Sequence, residues 1–236
     1  MNMLRLENIS KLISNKIILD NINLSVDQGE IFGFLGPNGA GKTTTIKIIT
    51  GLIKSDRGRV FINDIDLFNE HDKALSNIGA IVENPSLYGY LSAMDNLKIV
   101  ARLRGVKFEE LIDIINIIGL KDRINDRVKT YSLGMKQRLA IGCALVGNPK
   151  LLILDEPTNG LDPGGVIELR NFLIKLSSEN KITIFISSHQ LSEIQHLCTR
   201  VAFINKGRIL DIEDMNSILE EDVNLEKKYM DLIMKG

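Results

Sequence analysis

The chain has 236 residues and a net charge of −1, with 29 Lys and Arg against 30 Asp and Glu. That balance argues against a nucleic-acid binder driven by bulk positive charge, and no nucleic-acid partner is expected. A hydrophobic fraction of 44% and a charged fraction of 25% suit a globular domain with a sizeable buried core. Cys143 and Cys198 are too few for a disulfide framework and lack the spacing of a metal site, which fits a reducing compartment. The N-terminus does not follow a basic segment with a long apolar core, as a signal peptide would. No apolar run approaches the roughly 18 to 20 residues needed to cross a bilayer. If the protein acts at a membrane, another chain must provide the span.

In chain order, Leu4 to Val26 alternates apolar and polar residues and predicts antiparallel strands. Ile31 to Leu35 is a short apolar strand, followed by a glycine-rich turn and a helix opening at Gly41-Lys42-Thr43 that continues to Ile53. Arg59 to Ile62 and Ile78 to Val82 read as further strands, the second broken by Glu83-Asn84-Pro85. From there to about Asn148 apolar residues recur at spacings of three and four, over Met94–Leu103, Phe108–Ile118 and Gly134–Val146. Leu151 to Leu154 is a continuous apolar run, as a buried parallel strand requires. A helix (164–178), a strand (182–187), a helix (190–198) and a hairpin across Lys206-Gly207 follow. This alternation predicts an α/β fold with a mostly parallel core sheet, preceded by an antiparallel β subdomain and interrupted by a helical one. The expected organisation is one domain, 1–236. Residues 1–84 and 149–212 form its core, about 85–148 the helical subdomain, and 213–236 a charged helical appendage on the surface.

The chemistry concentrates in a few stretches. Gly36-Pro37-Asn38-Gly39-Ala40-Gly41-Lys42-Thr43, with Thr44 after it, matches the phosphate-binding loop G-x-x-x-x-G-K-[ST]. Gly36, Gly39 and Gly41 let the backbone turn its N–H groups onto phosphate oxygens, and the following helix points its positive end at the same anion. Lys42 can reach the β- and γ-phosphates, and the Thr43 hydroxyl can ligate Mg²⁺. Asp155 and Glu156 end the strand LLIL, where an acidic pair suits a metal contact (Asp155) and a general base for the attacking water (Glu156). His189 ends another apolar strand and can hydrogen-bond the γ-phosphate, holding the water and Glu156 in line. Taken alone, each of these also has a structural reading, as a plain turn, an exposed acidic pair or a packed histidine.

With Tyr131-Ser132-Leu133-Gly134-Met135-Lys136-Gln137-Arg138 the chain resembles the ATP-binding cassette (ABC) ATPases, whose signature is LSGGQ. EPTNGLDP at 156–163, with Asp162, is similar to that family's D-loop, and SSH at 187–189 to its switch-histidine loop. The resemblance runs from about Leu4 to about Asp211. It implies a P-loop NTPase that binds and hydrolyses ATP with Mg²⁺ and powers a separate integral membrane permease. It implies, too, that two cassettes, expected to be identical, face head to tail when ATP is bound, so that Ser132 and Gly134 of one cover the γ-phosphate held by the other. The expected location is cytoplasmic, peripheral at the inner face of the cell membrane.

Two departures stand out. Glu83 occupies the place of the family's Q-loop glutamine, where it can still ligate Mg²⁺ but adds negative charge. A glutamate there resembles the ATPase subunits of lantibiotic self-protection transporters, kin to bacitracin-resistance transporters, and implies export of a peptide antibiotic. An importer cassette and a soluble ABC ATPase are the alternatives. Near the N-terminus the family stacks adenine on an aromatic residue, whereas Leu12 and Ile13 stand here, and Ile13 becomes the expected base contact.

Overall fold

The computed structural model describes residues 1–83, 86–215, 217 and 225–235. Asn84, Pro85 and much of the expected C-terminal appendage lie outside the described residues.

Strands β1 (Asn2–Ile13) and β2 (Lys16–Asp27) form the antiparallel hairpin that their alternation predicts. Its turn is made by Ser14 and Asn15 with φ of 49° and 63°. With β4 (Arg57–Ile62) and β5 (Ile65–Asp66) they build a four-stranded sheet in the order β2-β1-β4-β5. Strand β3 (Ile31–Leu35) instead enters a six-stranded sheet between β8 (Thr183–Ser188) and β9 (Arg200–Asn205). The order is β10-β9-β3-β8-β7-β6, with β7 (Leu151–Asp155) beside β6 (Ile78–Ile81). Every neighbouring pair is parallel except β9 with β10 (Arg208–Asp214).

Period-two alternation sends the residues of β3 to opposite faces. Phe32 and Phe34 join Phe185, helix α1 (Lys42–Ile49) and the inner side of the antiparallel sheet in one core. Ile31 and Leu35 join Ile184 and Ile186 under helices α5 (Leu133–Leu145), α6 (Pro163–Asn180) and α7 (Leu191–Leu197) in another. Gly33 lies on that second face, where an added Cβ would stand 2.9 Å from Ile194 and 3.0 Å from Cys198. Its missing side chain lets α7 lie close against β3.

The block between β6 and β7 is helical, as its periodicity predicts. Helices α3 (Ala93–Arg104) and α4 (Leu111–Ile118) enclose a separate core of Leu97, Ile114, Ile115, Ile118 and Leu139. A Ser92–Asp95 capping box starts α3, and Gly105 and Gly119, both with positive φ, end α3 and α4. Helix α5 belongs to both cores: Leu139 packs against α3 and α4, whereas Ile141 and Leu145 pack against the sheet. The junction is clasped by Arg104, which donates to the carbonyls of Val146 and Ile78 at 2.8 and 3.2 Å.

The differences from expectation are local. Helix α1 stops at Ile49, because Gly51 takes φ 71° and Ile53 N bonds back to Lys47 O. Phe108–Glu110 is a 3₁₀ turn rather than the start of α4. Helix α2 (His71–Leu75) and strand β5 are too short to show a period in sequence. The appendage is anchored in its described part, helix α8 (Leu225–Lys235), where the Tyr229 ring packs 5.9 Å from Phe203.

A Cβ on Gly79 of β6 would fall 2.2 Å from the carbonyl oxygen of Ala144 in α5. Gly79→Ala should therefore cost about 1–3 kcal/mol in urea unfolding, through forced separation of β6 and α5. Unchanged stability would show that this contact does not set the seat of α5.

Candidate functional site

In the parallel ladder Leu35 pairs with Ser188 and Asp155 with Ser187. Strands β3, β7 and β8 thus release their chains at one level, and Gly36, Glu156 and His189 emerge side by side. The carboxyl ends of the strands of a parallel sheet are the usual ligand-binding edge.

The loop after β3 folds on itself through an Ala40 N to Pro37 O bond of 3.1 Å and runs into α1. Gly39 (φ 80°) and Gly41 (φ 111°, the residue before the helix) need a backbone that side chains disfavour. Gly36 is glycine for a different reason: a Cβ there would stand 2.3 Å from the Ile204 carbonyl oxygen. Asn38 and Gly39 are exposed, Pro37, Thr43 and Thr44 half-buried, and Ala40 buried. No acidic residue occupies the first turn of α1, so the helix itself places no negative charge at its positive end. Lys42, only 5% exposed, donates to the carbonyls of Gly36 at 2.7 Å and Pro37 at 3.2 Å. Its ammonium also lies 3.1 Å from Glu156 Oε1.

Glu156 stands in the left-handed region at φ 47°, which costs a residue with a Cβ of order 1 kcal/mol. Its N–H is held there by the carbonyl and hydroxyl of Ser187, at 3.2 and 3.0 Å. Oε2 of its carboxylate meets Asn159 Nδ2 and His189 Nδ1, each at 2.8 Å. Burial alone would raise its pKa. The donors Asn159, Lys42 and His189 outweigh that effect and hold it below the ordinary glutamate value. Asp155 is buried and accepts from the Ser187 hydroxyl at 2.6 Å.

A crevice of about 240 Å³ is lined by Thr43, Glu83, Asp155, Glu156, Asn159, Leu133, Gln137 and Pro157. Thr43, Asp155 and Glu83, all in its lining, carry a hydroxyl and two carboxylates, which is the donor chemistry Mg²⁺ takes. Among the described residues no three His, Cys, Asp or Glu side chains form a metal site, so phosphate oxygens would have to complete the shell. Glu83, at φ 62°, ion-pairs with Lys47 of α1 at 2.7 Å, which offsets the charge it adds.

The remaining expected residues lie apart from this crevice. Ser132 caps α5 by accepting from Met135 N at 3.2 Å, and a Cβ on Gly134 would meet nothing. Neither lines the crevice, although their neighbours Leu133 and Gln137 do. Asp162 caps α6 by accepting from Gly165 N at 3.2 Å. Ile13 stands exposed by the β1–β2 turn, whereas the β2 residues beside Gly41 are Ile18 and Leu19. Lys47, Asn159 and Ser187 escape sequence reasoning. Ser187 and Asn159 lie inside quoted motifs, and Lys47 lies one helical turn after Thr43, but only the folded chain shows whom they touch. A second crevice of about 330 Å³ lies between β6 and helices α3 and α5, lined among others by Leu87, Tyr88, Val100 and Cys143. Asn96 fixes its rim by accepting from Tyr88 N at 2.8 Å and donating to Tyr88 O.

The depressed pKa of Glu156 links the site to stability. Its contribution is complete above the unfolded-state value, fades as pH falls below that, and is gone below the lowered folded value. Glu156→Gln should thus lose less stability than the parent as pH is lowered from about 5 to well below the ordinary glutamate value of about 4.3 in urea titrations. Equal losses would show that the carboxylate is not held ionised by these partners.

Residues 19–159 match the ABC transporter family. The chain is 49% identical over 96% of its length to an uncharacterized ABC transporter ATP-binding protein, YhcH, of Bacillus subtilis, covering 73% of that protein. It is 47% identical to the bacitracin transport ATP-binding protein BcrA of Bacillus licheniformis (86% and 67% covered). It is 41% identical to the lantibiotic transport ATP-binding protein SrtF of Streptococcus pyogenes (96% and 100% covered). The dimeric ATP-binding cassette MJ0796, solved in a post-hydrolysis state with ADP and Pi, superposes with a TM-score of 0.77 at 26% identity, over 90% of this chain and 99% of that one. On this site geometry and these similarities, the chain belongs to the ABC transporter family and is an ATP-binding, ATP-hydrolysing cassette subunit of it.

Proposed function

We propose that the protein powers, from the inner face of the cell membrane, a separate permease that exports a peptide antibiotic of the lantibiotic or bacitracin kind, giving self-protection or resistance. The similarity to BcrA and SrtF carries this reading of the cargo. Glu83 in the crevice agrees with it. No described helix is long and apolar enough to cross a membrane, and the route for cargo is assigned to the separate permease.

In the proposed chemistry the loop 36–43 and the start of α1 hold the triphosphate, with Thr44 at the first turn and Lys42 on the β- and γ-phosphates. Mg²⁺, held by Thr43, Asp155 and Glu83, would neutralise phosphate charge. Glu156 takes a proton from the water that attacks the γ-phosphorus as the bond to the β–γ bridging oxygen breaks. His189 orients Glu156 through their 2.8 Å contact and faces the γ-phosphate. Ser132 and Gly134 lie off their own crevice and are assigned to the nucleotide of a second, identical cassette, with Asp162 at the shared boundary. The dimeric MJ0796 cassette supports that pairing. Nucleotide that binds better to the closed pair converts a chemical step into a movement. The exposed rings of Tyr88 and Tyr90, packed edge-on at 6.0 Å beside the second crevice, are assigned to the permease contact. Ile13 is assigned to the adenine, as an aliphatic contact.

Lys42→Ala should abolish ATP binding, whereas Glu156→Gln should keep binding and stop turnover. Near-parental hydrolysis by either variant would remove its assigned role. Tagged Glu156→Gln protein, drawn from membranes of its own host with ATP and Mg²⁺, should bring a polytopic membrane protein with it. Recovery of ribosomes, of DNA or of the cassette alone would overturn the transport reading.

A further inference from the structure

Glu193 lies in the first turn of α7 with its side chain buried, 8% exposed. A single oxygen of its carboxylate, Oε2, accepts from Thr158 Oγ1 at 2.7 Å and from Ser188 Oγ at 2.8 Å. Among the described residues no cation pairs with it. A buried carboxylate satisfied by two hydroxyls is a costly group to place in a pocket lined by Leu169, Leu173 and Ile186, although Arg170, Ser192 and His196 line it too. What the carboxylate provides is the connection between its two donors.

Thr158 follows Glu156 by two residues and is buried, and the turns Asn159 N to Glu156 O and Leu161 N to Thr158 O make that segment one rigid piece. Ser188 immediately precedes His189, and its hydroxyl also accepts from Gln190 N at 2.9 Å. Its carbonyl accepts from Gly36 N, so the same residue touches the phosphate loop. A hydroxyl has one proton to give: Thr158 gives it to Glu193, and for Ser188 the Glu193 oxygen at 2.8 Å is the nearer acceptor, with the Gln190 carbonyl at 3.4 Å. The two segments that bring Glu156 and His189 within 2.8 Å of each other are therefore tied together from beneath by one oxygen atom.

We propose that Glu193 is a positioning residue for ATP hydrolysis: it locks the Glu156 segment to the His189 loop and so sets the alignment of the base with the attacking water. This rests on the roles assigned above to Glu156 and His189. A carboxylate one methylene shorter falls about 1.5 Å short of reaching both hydroxyls. A glutamine presents a carbonyl oxygen that can accept from both, at the cost of finding an acceptor for its amide. Misplacement of about 1 Å away from the reacting atoms can lower a rate about 100-fold.

The test measures ATP turnover, nucleotide affinity and thermal midpoint of the full chain for Glu193→Asp, Glu193→Gln and Thr158→Val, with Glu156→Gln and His189→Ala beside them. For Glu193→Asp kcat is expected to fall about 10- to 100-fold with KM and nucleotide Kd unchanged. Glu193→Gln should recover the greater part of that loss, and Thr158→Val should lose rate in the same kcat-only manner. Parental kcat in Glu193→Asp overturns the proposal. So does a loss of rate that follows the thermal midpoint and takes nucleotide affinity with it, which is a purely structural role. If Glu156→Gln and His189→Ala themselves turn over ATP normally, it is the site assignment that falls.

Discussion

Three parallel strands that stop at one level govern the whole site. The pairing of Leu35 with Ser188 and of Asp155 with Ser187 sets the phosphate loop, the acidic pair and the histidine loop against one another. Parallel register is set by which apolar faces are buried, since a slip of one residue would turn every side chain to the opposite face. Phe32, Phe34 and Phe185 on one face and Leu154, Ile184 and Ile186 on the other make that slip prohibitive. Catalytic geometry is thus a consequence of core packing several residues away from the chemistry.

The charges above this platform are arranged for an anion. Lys42 is buried beside two loop carbonyls, at the positive start of a helix that carries no acid in its first turn. Its ammonium is shared with Glu156, which is also held by Asn159 and His189. In the proposed chemistry a γ-phosphate would compete with Glu156 for that lysine, so nucleotide entry would itself alter the surroundings of the proposed base. Coulombic interactions in a shielded crevice are stronger than in bulk water, which makes this exchange of partners consequential.

The helical block meets the same platform through α5. That helix spans two hydrophobic cores, and its first turns reach the crevice through Leu133 and Gln137. Gly79 and Arg104 hold it against β6, whose end leads to Glu83. Glu83 in turn meets Lys47 of α1. Crevice, helical block and the groove beside Tyr88 are consequently linked through short chains of contacts.

Much of the fold and of the site is legible in the sequence. Contiguous motifs and apolar periods place the phosphate loop, the LLIL strand with Asp155 and Glu156, and His189, because local backbone chemistry requires those residue types at those spacings. The parallel sheet and helical block follow from alternation of periods two and three to four. Short elements such as α2 and β5 left no period to read. The reason for Gly36 was also hidden, since it is the Ile204 carbonyl, distant in sequence, that forbids a Cβ there. The same holds for Ser187 on Asp155, Lys47 on Glu83, and Glu193 beneath Thr158 and Ser188. Each is a contact between segments that the chain's order keeps apart. Residue type and spacing along one segment can specify a loop or a strand, but a side-chain partner across the fold exists only once the layers have packed.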